Sequence, residues 1–353
     1  MKKSFCNWAV VPAALLALCL VSGCQTLPKE APTGKVVLIR EVVVTDRAGV
    51  SSIKVERVEE IAERSTVDKD AESLMTPQRY ADVGSYFQNY AVNDASDVVV
   101  TIFNQEGREG SDLWIYKGGK MRLSKTDYFH WDPAFSRDGS SVYFVGDKGR
   151  VAKDTSDQTY YLWRVSSVGS GGLTRIGTPS FRYFSPSESP DGKHILVSCQ
   201  EFMDNAPFLW YMNSNGALPT QLKQGQAGQW MDNETLLFQT PDENTNLQTI
   251  WTCKIDGSNL TQIISDNEMH CMQPVSSPDS RFVAYVKQLP DKPESRDIYV
   301  LDLKTGLSQQ LTTNKSRDDL PRWSTDGAHL FFRSSRGVSW NVWRLSTGFL
   351  SGR

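Results

Sequence analysis

The segment Gln273-Pro274-Val275-Ser276-Ser277-Pro278-Asp279-Ser280-Arg281-Phe282-Val283-Ala284-Tyr285-Val286-Lys287 reads as a strand, a tight turn and a second strand. Pro278, Asp279 and Ser280 are turn residues, and the aromatic and β-branched run that follows suits a pleated surface. Asp297–Leu303 adds a third strand, and Ser308–Thr312 a fourth after Thr305-Gly306. The third strand carries Ile298-Tyr299-Val300-Leu301: an apolar residue, an aromatic one, one further residue and an apolar one. The same element occurs as Leu113-Trp114-Ile115-Tyr116, Leu162-Trp163-Arg164-Val165 and Leu209-Trp210-Tyr211-Met212. It returns as Ile250-Trp251-Thr252-Cys253 and Val342-Trp343-Arg344-Leu345. The aromatic positions lie 49, 47, 41, 48 and 44 residues apart, a period that marks a repeat architecture.

Each copy follows a turn of related sequence. Phe135-Ser136-Arg137-Asp138-Gly139 and Trp323-Ser324-Thr325-Asp326-Gly327 are the clearest, and Ser189-Pro190-Asp191-Gly192 is a close variant. Asp bonds to its own backbone and Gly takes positive φ cheaply, which makes Asp-Gly a strong hairpin signal. Short apolar strands come next, among them Val142–Val145, Ile195–Val197, Leu236–Phe238 and Leu330–Phe332, with Val98–Phe103 in the first unit. A four-stranded antiparallel unit cannot bury both faces alone. The expected fold is therefore all-β, a six-bladed β-propeller of four-stranded antiparallel blades with a short N-terminal extension, stacked face to face into a ring. The third-strand aromatics are expected to supply the core between blades.

The period and the Phe/Trp-Ser-x-Asp-Gly turn resemble the propeller blades of the TolB family, the Pro-Asp type of WD-like repeat, from Ser85 to Leu345. The resemblance implies the propeller fold, while function must be argued from the site. TolB proteins carry a larger α/β domain ahead of the propeller, which the preceding segment here is too short to reproduce. Their partnerships with the Tol motor proteins and the peptidoglycan-associated lipoprotein are not carried over.

The sixth unit has few residues left for a fourth strand after Leu345. Propellers of this sort often close on a strand from the other end of the chain, and the apolar, β-branched run Lys35–Thr45 is the expected donor. Ile53–Glu63 mixes strand-like alternation with helix-like charge spacing and fits either element. Ahead of these, Lys2 and Lys3 precede an apolar stretch from Trp8 to Val21 that is too short to span a membrane as a helix and reads as a secretory signal. Leu20-Val21-Ser22-Gly23-Cys24 resembles the lipobox of bacterial lipoproteins. That resemblance implies diacylglycerol on the Cys24 thiol, cleavage after Gly23, and acyl chains that hold the protein to a membrane. Gln25 stands where Asp would resemble an inner-membrane retention signal, so a Gram-negative outer membrane, on its periplasmic or outer side, is the expected location. The resulting division is 1–23 signal peptide, 24–34 tether, 35–81 extension and 82–353 propeller.

Among 353 residues, 38 Lys+Arg against 41 Asp+Glu and no basic stripe argue against nucleic-acid binding. Cys199, Cys253 and Cys271 follow the anchor and allow at most one bridge, and Cys199 and Cys253 read as buried thiols in strands. No Gly-x-Ser-x-Gly elbow, P-loop, His-Glu-x-x-His or EF-hand spacing occurs, and no cofactor is implied. His194 and His329 share one blade position and read as surface strand residues. His130 and His270 precede innermost strands, beside Asp132 and Gln273, and Asp318-Asp319 and Arg182 hold comparable places in other blades. These loops gather at one channel mouth, so His130, Asp132, Arg182, His270, Asp318 and Asp319 are the candidate binding residues there. The expected function is non-enzymatic: a monomeric, membrane-anchored envelope lipoprotein whose propeller binds a protein or glycan. The alternative is a carbohydrate-active or metal-dependent enzyme at the mouth, because a His-bearing mouth also resembles propeller-type pectate-fragment lyases.

Overall fold

A computed structural model describes residues 8–12, 36–45, 51–61 and 76–353, without 82, 84–86, 94–96, 104–109, 118, 125–128, 148–159, 170–171, 178–180, 202–205, 314, 337–338 and 352–353. The chain divides into two compact units, Met1–Ser73 and Leu74–Arg353. In the first, Val36–Thr45 pairs antiparallel with Trp8–Pro12 on one side and Ser51–Ile61 on the other. Of the two readings open for Ile53–Glu63, the structure takes the strand as far as Ile61, and the last two residues lie outside the described ones.

The second unit holds six four-stranded antiparallel sheets. Blade 1 runs Phe87–Val92, Val98–Phe103, Ser111–Tyr116, Lys120–Arg122; blade 2 runs His130–Phe135, Ser141–Asp147, Tyr160–Ser166, Thr174–Ile176. Blade 3 is Phe181–Glu188, His194–Glu201, Phe208–Asn213 and Thr220–Gln224, and blade 4 is Gln226–Trp230, Thr235–Pro241, Gln248–Lys254 and Thr261–Ile264. Blade 5 comprises His270–Ser276, Phe282–Gln288, Arg296–Asp302 and Leu307–Gln310. Blade 6 has Asp318–Trp323, His329–Ser334 and Asn341–Ser346, with Gln78–Ala81 as its outer strand. Among the described residues the one helix is Gly348–Ser351, and no helix is long and apolar enough to cross a membrane.

The second strand of every blade is apolar without alternation because it is covered on both faces. Val98–Val100, Ile195–Val197 and Leu330–Phe332 are all fully buried. Successive side chains point to opposite faces of a strand, so each run feeds two cores. Leu330 and Phe332 pack with blade 5, whereas Phe331 packs with blade 1. Val99 goes to the core with blade 2, and Val98 and Val100 to the core with blade 6. The remaining interfaces, 2 with 3, 3 with 4 and 4 with 5, each hold one further cluster, so the ring is closed.

The third-strand aromatics sit differently from expectation. Trp114, Trp163, Trp210, Trp251, Tyr299 and Trp343 are half-buried and pack against the margins of these clusters. The fully buried residue is the aliphatic one just before each: Leu113, Leu162, Leu209, Ile250, Ile298 and Val342. Several rings are roofed by cations, with Lys120 4.4 Å and Arg122 4.8 Å from the Trp114 ring centre and Arg336 5.1 Å from that of Trp343.

In the Ser-x-Asp-Gly turns the serine works as a relay. Ser136 Oγ donates to Asp138 Oδ1 at 2.6 Å and accepts from the Ser141 N–H at 2.9 Å. Ser189 and Ser324 repeat both bonds, at 2.7 and 3.0 Å and at 2.5 and 2.9 Å. Gly139, Gly192 and Gly327 take the positive φ that closes each turn.

Ring closure uses a strand other than Lys35–Thr45. Ala81 pairs with Val342, Arg79 with Trp343 and Gln78 with Arg344, while the Tyr80 ring meets Phe331 edge-on at 4.9 Å. The long run before it finds a partner of matching length in Ser51–Ile61 across a short connection, which costs less closure entropy than spanning to blade 6. Compared with a chain beginning at Leu74, one beginning at Asp82 loses the closing ladder, with an expected cost of roughly 3 kcal/mol from its hydrogen bonds and covered side chains, read from the two urea midpoints.

Candidate functional site

The channel is lined by a defect repeated in every inner strand. The register between inner and second strand slips at Gln88-Asn89, Asp132-Pro133, Ser185-Pro186, Ala227-Gly228, Gln273-Pro274 and Leu320-Pro321. Asp132, Ser185, Ala227, Gln273 and Leu320 take positive φ there. Proline lacks an N–H to give the ladder, so a bulge on an inner edge strand is where a sheet tolerates it. Blade 4 has Gly228 instead, where a Cβ would come within 2.8 Å of both Leu196 and Leu209 of blade 3.

The bulges bond to one another around the axis. Asp132 accepts from Asn89 Nδ2 at 2.8 Å on blade 1 and from the Ser185 N–H at 2.9 Å on blade 3. Gln239 Oε1 accepts from the Gln273 N–H at 2.6 Å, and Gln273 Oε1 accepts from the Leu320 N–H at 2.9 Å. Tyr90 donates to the Leu320 carbonyl at 2.9 Å, joining blade 6 to blade 1. Together these residues surround a cavity of ≈ 380 Å³ lined by all six blades.

The residues singled out from the sequence fall into different places. Asp132 lines the cavity, whereas His130, Arg182, His270, Asp318 and Asp319 do not. His130 is 2% exposed, with Nδ1 3.1 Å from Ser124 Oγ of blade 1 and its ring 4.7 Å from Phe144. Burial pushes its pKa down to about 3. His270 Nδ1 accepts from the Gln248 N–H of blade 4 at 3.0 Å, and burial lowers its pKa too. Both histidines therefore peg an inner strand to the preceding blade, and they stand on blades 2 and 5, opposite one another in the ring. Arg182 lies over the Tyr160 ring at 5.7 Å.

Asp318 and Asp319 are both fully buried. Asp318 pairs with Arg336 at 2.6 Å, yet burial outweighs that pairing and pushes its pKa up; burial does the same to Asp297 beside it. Asp319 goes the other way. Burial would raise its pKa, but hydrogen bonds from Arg333 and the charges of Arg333, Arg317 and Arg296 hold it below the ordinary carboxylate range. Arg333 grips it through Nε at 2.7 Å and Nη2 at 2.8 Å, Arg317 at 2.8 Å and Arg296 at 3.1 Å. Arg333 also donates 2.7 Å bonds to the Phe87 and Gln88 carbonyls of blade 1.

Arg296, Arg317, Arg322 and Arg333 all line the cavity, against one lining carboxylate, Asp132. These arginines are absent from the sequence-derived set. The signal that points to them is a charge closing an otherwise apolar strand, as in Leu330-Phe331-Phe332-Arg333, and Arg317 immediately before Asp318-Asp319. Among the described residues, no three His, Cys, Asp or Glu side chains gather closely enough to hold a metal ion. Cys199, Cys253 and Cys271 are buried and free, and burial raises all three thiol pKa values.

Two consequences are measurable. An unfolded chain protonates His130 at its ordinary pKa of 6.5, whereas the native state resists until about 3. The native state thus loses stability as pH falls from 6.5 towards 3, by up to about 1.4 kcal/mol per pH unit. His130→Phe is expected to flatten that part of the stability–pH curve, read from urea midpoints at pH 7 and pH 5. Asp319→Ala strands three guanidiniums around a buried gap and is expected to cost about 3–5 kcal/mol at pH 7 in the same assay.

No family model matches the chain. The uncharacterized protein Atu1656 of Agrobacterium fabrum is 39% identical over 49 residues, which is 14% of this chain and 17% of that protein. Among solved structures, one from Agrobacterium tumefaciens assigned as TolB superposes with a TM-score of 0.53 at 16% identity, covering 70% of this chain and 84% of that one. TolB from Acinetobacter baumannii gives 0.54 at 14% identity, with 91% and 78% covered. A puromycin-hydrolyzing peptidase from Mycobacterium tuberculosis gives 0.51 at 14% identity over 90% of this chain, which spans only 50% of the peptidase. Likeness at such identities speaks for the fold, and the fold agrees with the blade count and strand pairing above. The chain is a six-bladed β-propeller of the kind found in TolB proteins.

Proposed function

We propose that this chain is an envelope lipoprotein, anchored by acyl chains on Cys24, whose propeller binds a protein or glycan partner without performing chemistry on it. The observation that carries the binding role is the character of the channel mouth. Its surplus charge resides on arginines, which stay protonated and do not exchange protons near neutrality. The carboxylates and imidazoles near it are tied into contacts between blades. Such a lining favours recognition over acid–base work.

The connections Gln239–Asn246 and Gln288–Ser295 rise at the same end of the channel, because they join second to third strands where the inner strands begin. Glu243, Asn244 and Thr245 in one, and Asp291, Lys292 and Glu294 in the other, are exposed and offer a contact rim. The corresponding stretch Gly146–Asp157 lies largely outside the described residues, as does Cys24. The anchor rests on the lipobox reading alone, and cleavage after Gly23 would remove Trp8–Pro12 while leaving the hairpin of Val36–Thr45 and Ser51–Ile61.

Cross-linking from a photoreactive residue at Asn244 in intact cells is expected to capture one predominant partner. An unlabelled propeller, or a spread of unrelated products, counts against the binding reading. For the anchor, Cys24→Ala is expected to move the protein from the membrane to the soluble fraction; unchanged fractionation refutes it.

A further inference from the structure

The arginines of the mouth do not spend all their donors on the protein. Arg296 uses Nε on Gln288 and Nη1 on Asp319, and Arg317 uses Nε on Asp319. Arg296 Nη2 and both Nη groups of Arg317 have no hydrogen-bond partner among the described residues. Asp319 sits behind them, fully buried, and fixes their orientation without reaching the cavity surface. Four guanidiniums against Asp132 and Asp319 leave two positive charges in excess, facing a concave space where field lines concentrate.

The adjoining wall, on blades 4 and 5, has another chemistry. Gln226, Gln229 and Gln273 line it, and their Nε2 groups likewise have no partner among the described residues. Side-chain amides both donate and accept, which suits hydroxyl groups. The cavity, ≈ 380 Å³, falls within the range of small-ligand sites, roughly 300–1,000 Å³.

We propose that the mouth binds a hydroxylated carboxylate of monosaccharide size, a sugar acid, with its carboxylate on Arg296 and Arg317 and its hydroxyls on the glutamine wall. Guanidinium forks match a carboxylate in two parallel bonds. The inference rests on reading the propeller as a binding module and names the class of group it receives.

The test is titration calorimetry on the detergent-solubilised full chain with potassium glucuronate, glucose and a tetraglutamate peptide. Glucuronate is expected to bind at least about tenfold more tightly than glucose, and to weaken as salt rises from 50 to 500 mM. Arg317→Met is expected to lose about tenfold or more in glucuronate affinity. Its unfolding midpoint should stay close to that of the parent, because Asp319 keeps Arg333 and Arg296. Arg296→Met is the second variant and should lose affinity likewise. Equal binding of glucose and glucuronate overturns the proposal, as does undiminished affinity in both variants. Tighter binding of tetraglutamate overturns it in favour of an acidic protein segment. Absence of glucuronate binding in a protein that still cross-links to a partner in cells removes the sugar-acid site alone. Absence of both removes the binding reading with it.

Discussion

The structure depends on the second strand of each blade being dry on both faces. A strand with three to five buried apolar residues in a row has no side to offer water, so it requires one neighbouring sheet above and another below. Six such strands satisfy one another only in a ring, since any open row would leave two faces uncovered. Leu330, Phe331 and Phe332 show the logic in three residues: the outer two pack into one interface and the middle one into the next. The curvature of the ring, and hence the channel, follows from that requirement rather than from any residue in the channel itself.

The polar groups near the axis answer a second constraint. Wherever an inner strand bulges, its backbone leaves the ladder and needs a partner elsewhere. In blades 3, 5 and 6 the neighbouring blade provides one, through Asp132, Gln239 and Gln273. At the start of the inner strands His130 and His270 do comparable work, each meeting the blade before it. Blade-to-blade contact is thus apolar in the body and hydrogen-bonded around the channel, and the channel residues are fixed in position by the same bonds. A rigid lining is well suited to recognition because little ordering remains to be done when a ligand arrives.

The blade count, the strand order and the turns were legible in the sequence because each has a local signal: a period near 45 residues, an apolar run, an Asp-Gly pair. The aromatics were less legible: the recurring ring is the conspicuous feature of the third strand, while the aliphatic residue before it, from Leu113 to Val342, is the one fully buried. The closing strand was misplaced because Gln78-Arg79-Tyr80-Ala81 is short and polar beside the emphatic Lys35–Thr45. An outer strand with one face to solvent needs no apolar run. The mouth was the least legible. Polar residues at equivalent blade positions look alike in sequence whether they face the axis or the neighbouring blade, and only the fold separates Asp132 from His130. The arginines gave weaker hints still, because their convergence joins positions from Arg296 to Arg333 with a carboxylate hidden beneath them.

The pairing of Gln78–Ala81 with Asn341–Ser346 also imposes an order in time. During synthesis the former emerges first and must wait for nearly the whole propeller before its partner appears. Until then blade 6 lacks its outer strand, and the core between blades 6 and 1, to which Ala81 and Val342 both contribute, stays incomplete. Contacts this distant along the chain form slowly and leave adhesive edges open meanwhile. A nascent chain of this kind gains its stability late and all together, at the moment when the two ends of the ring meet.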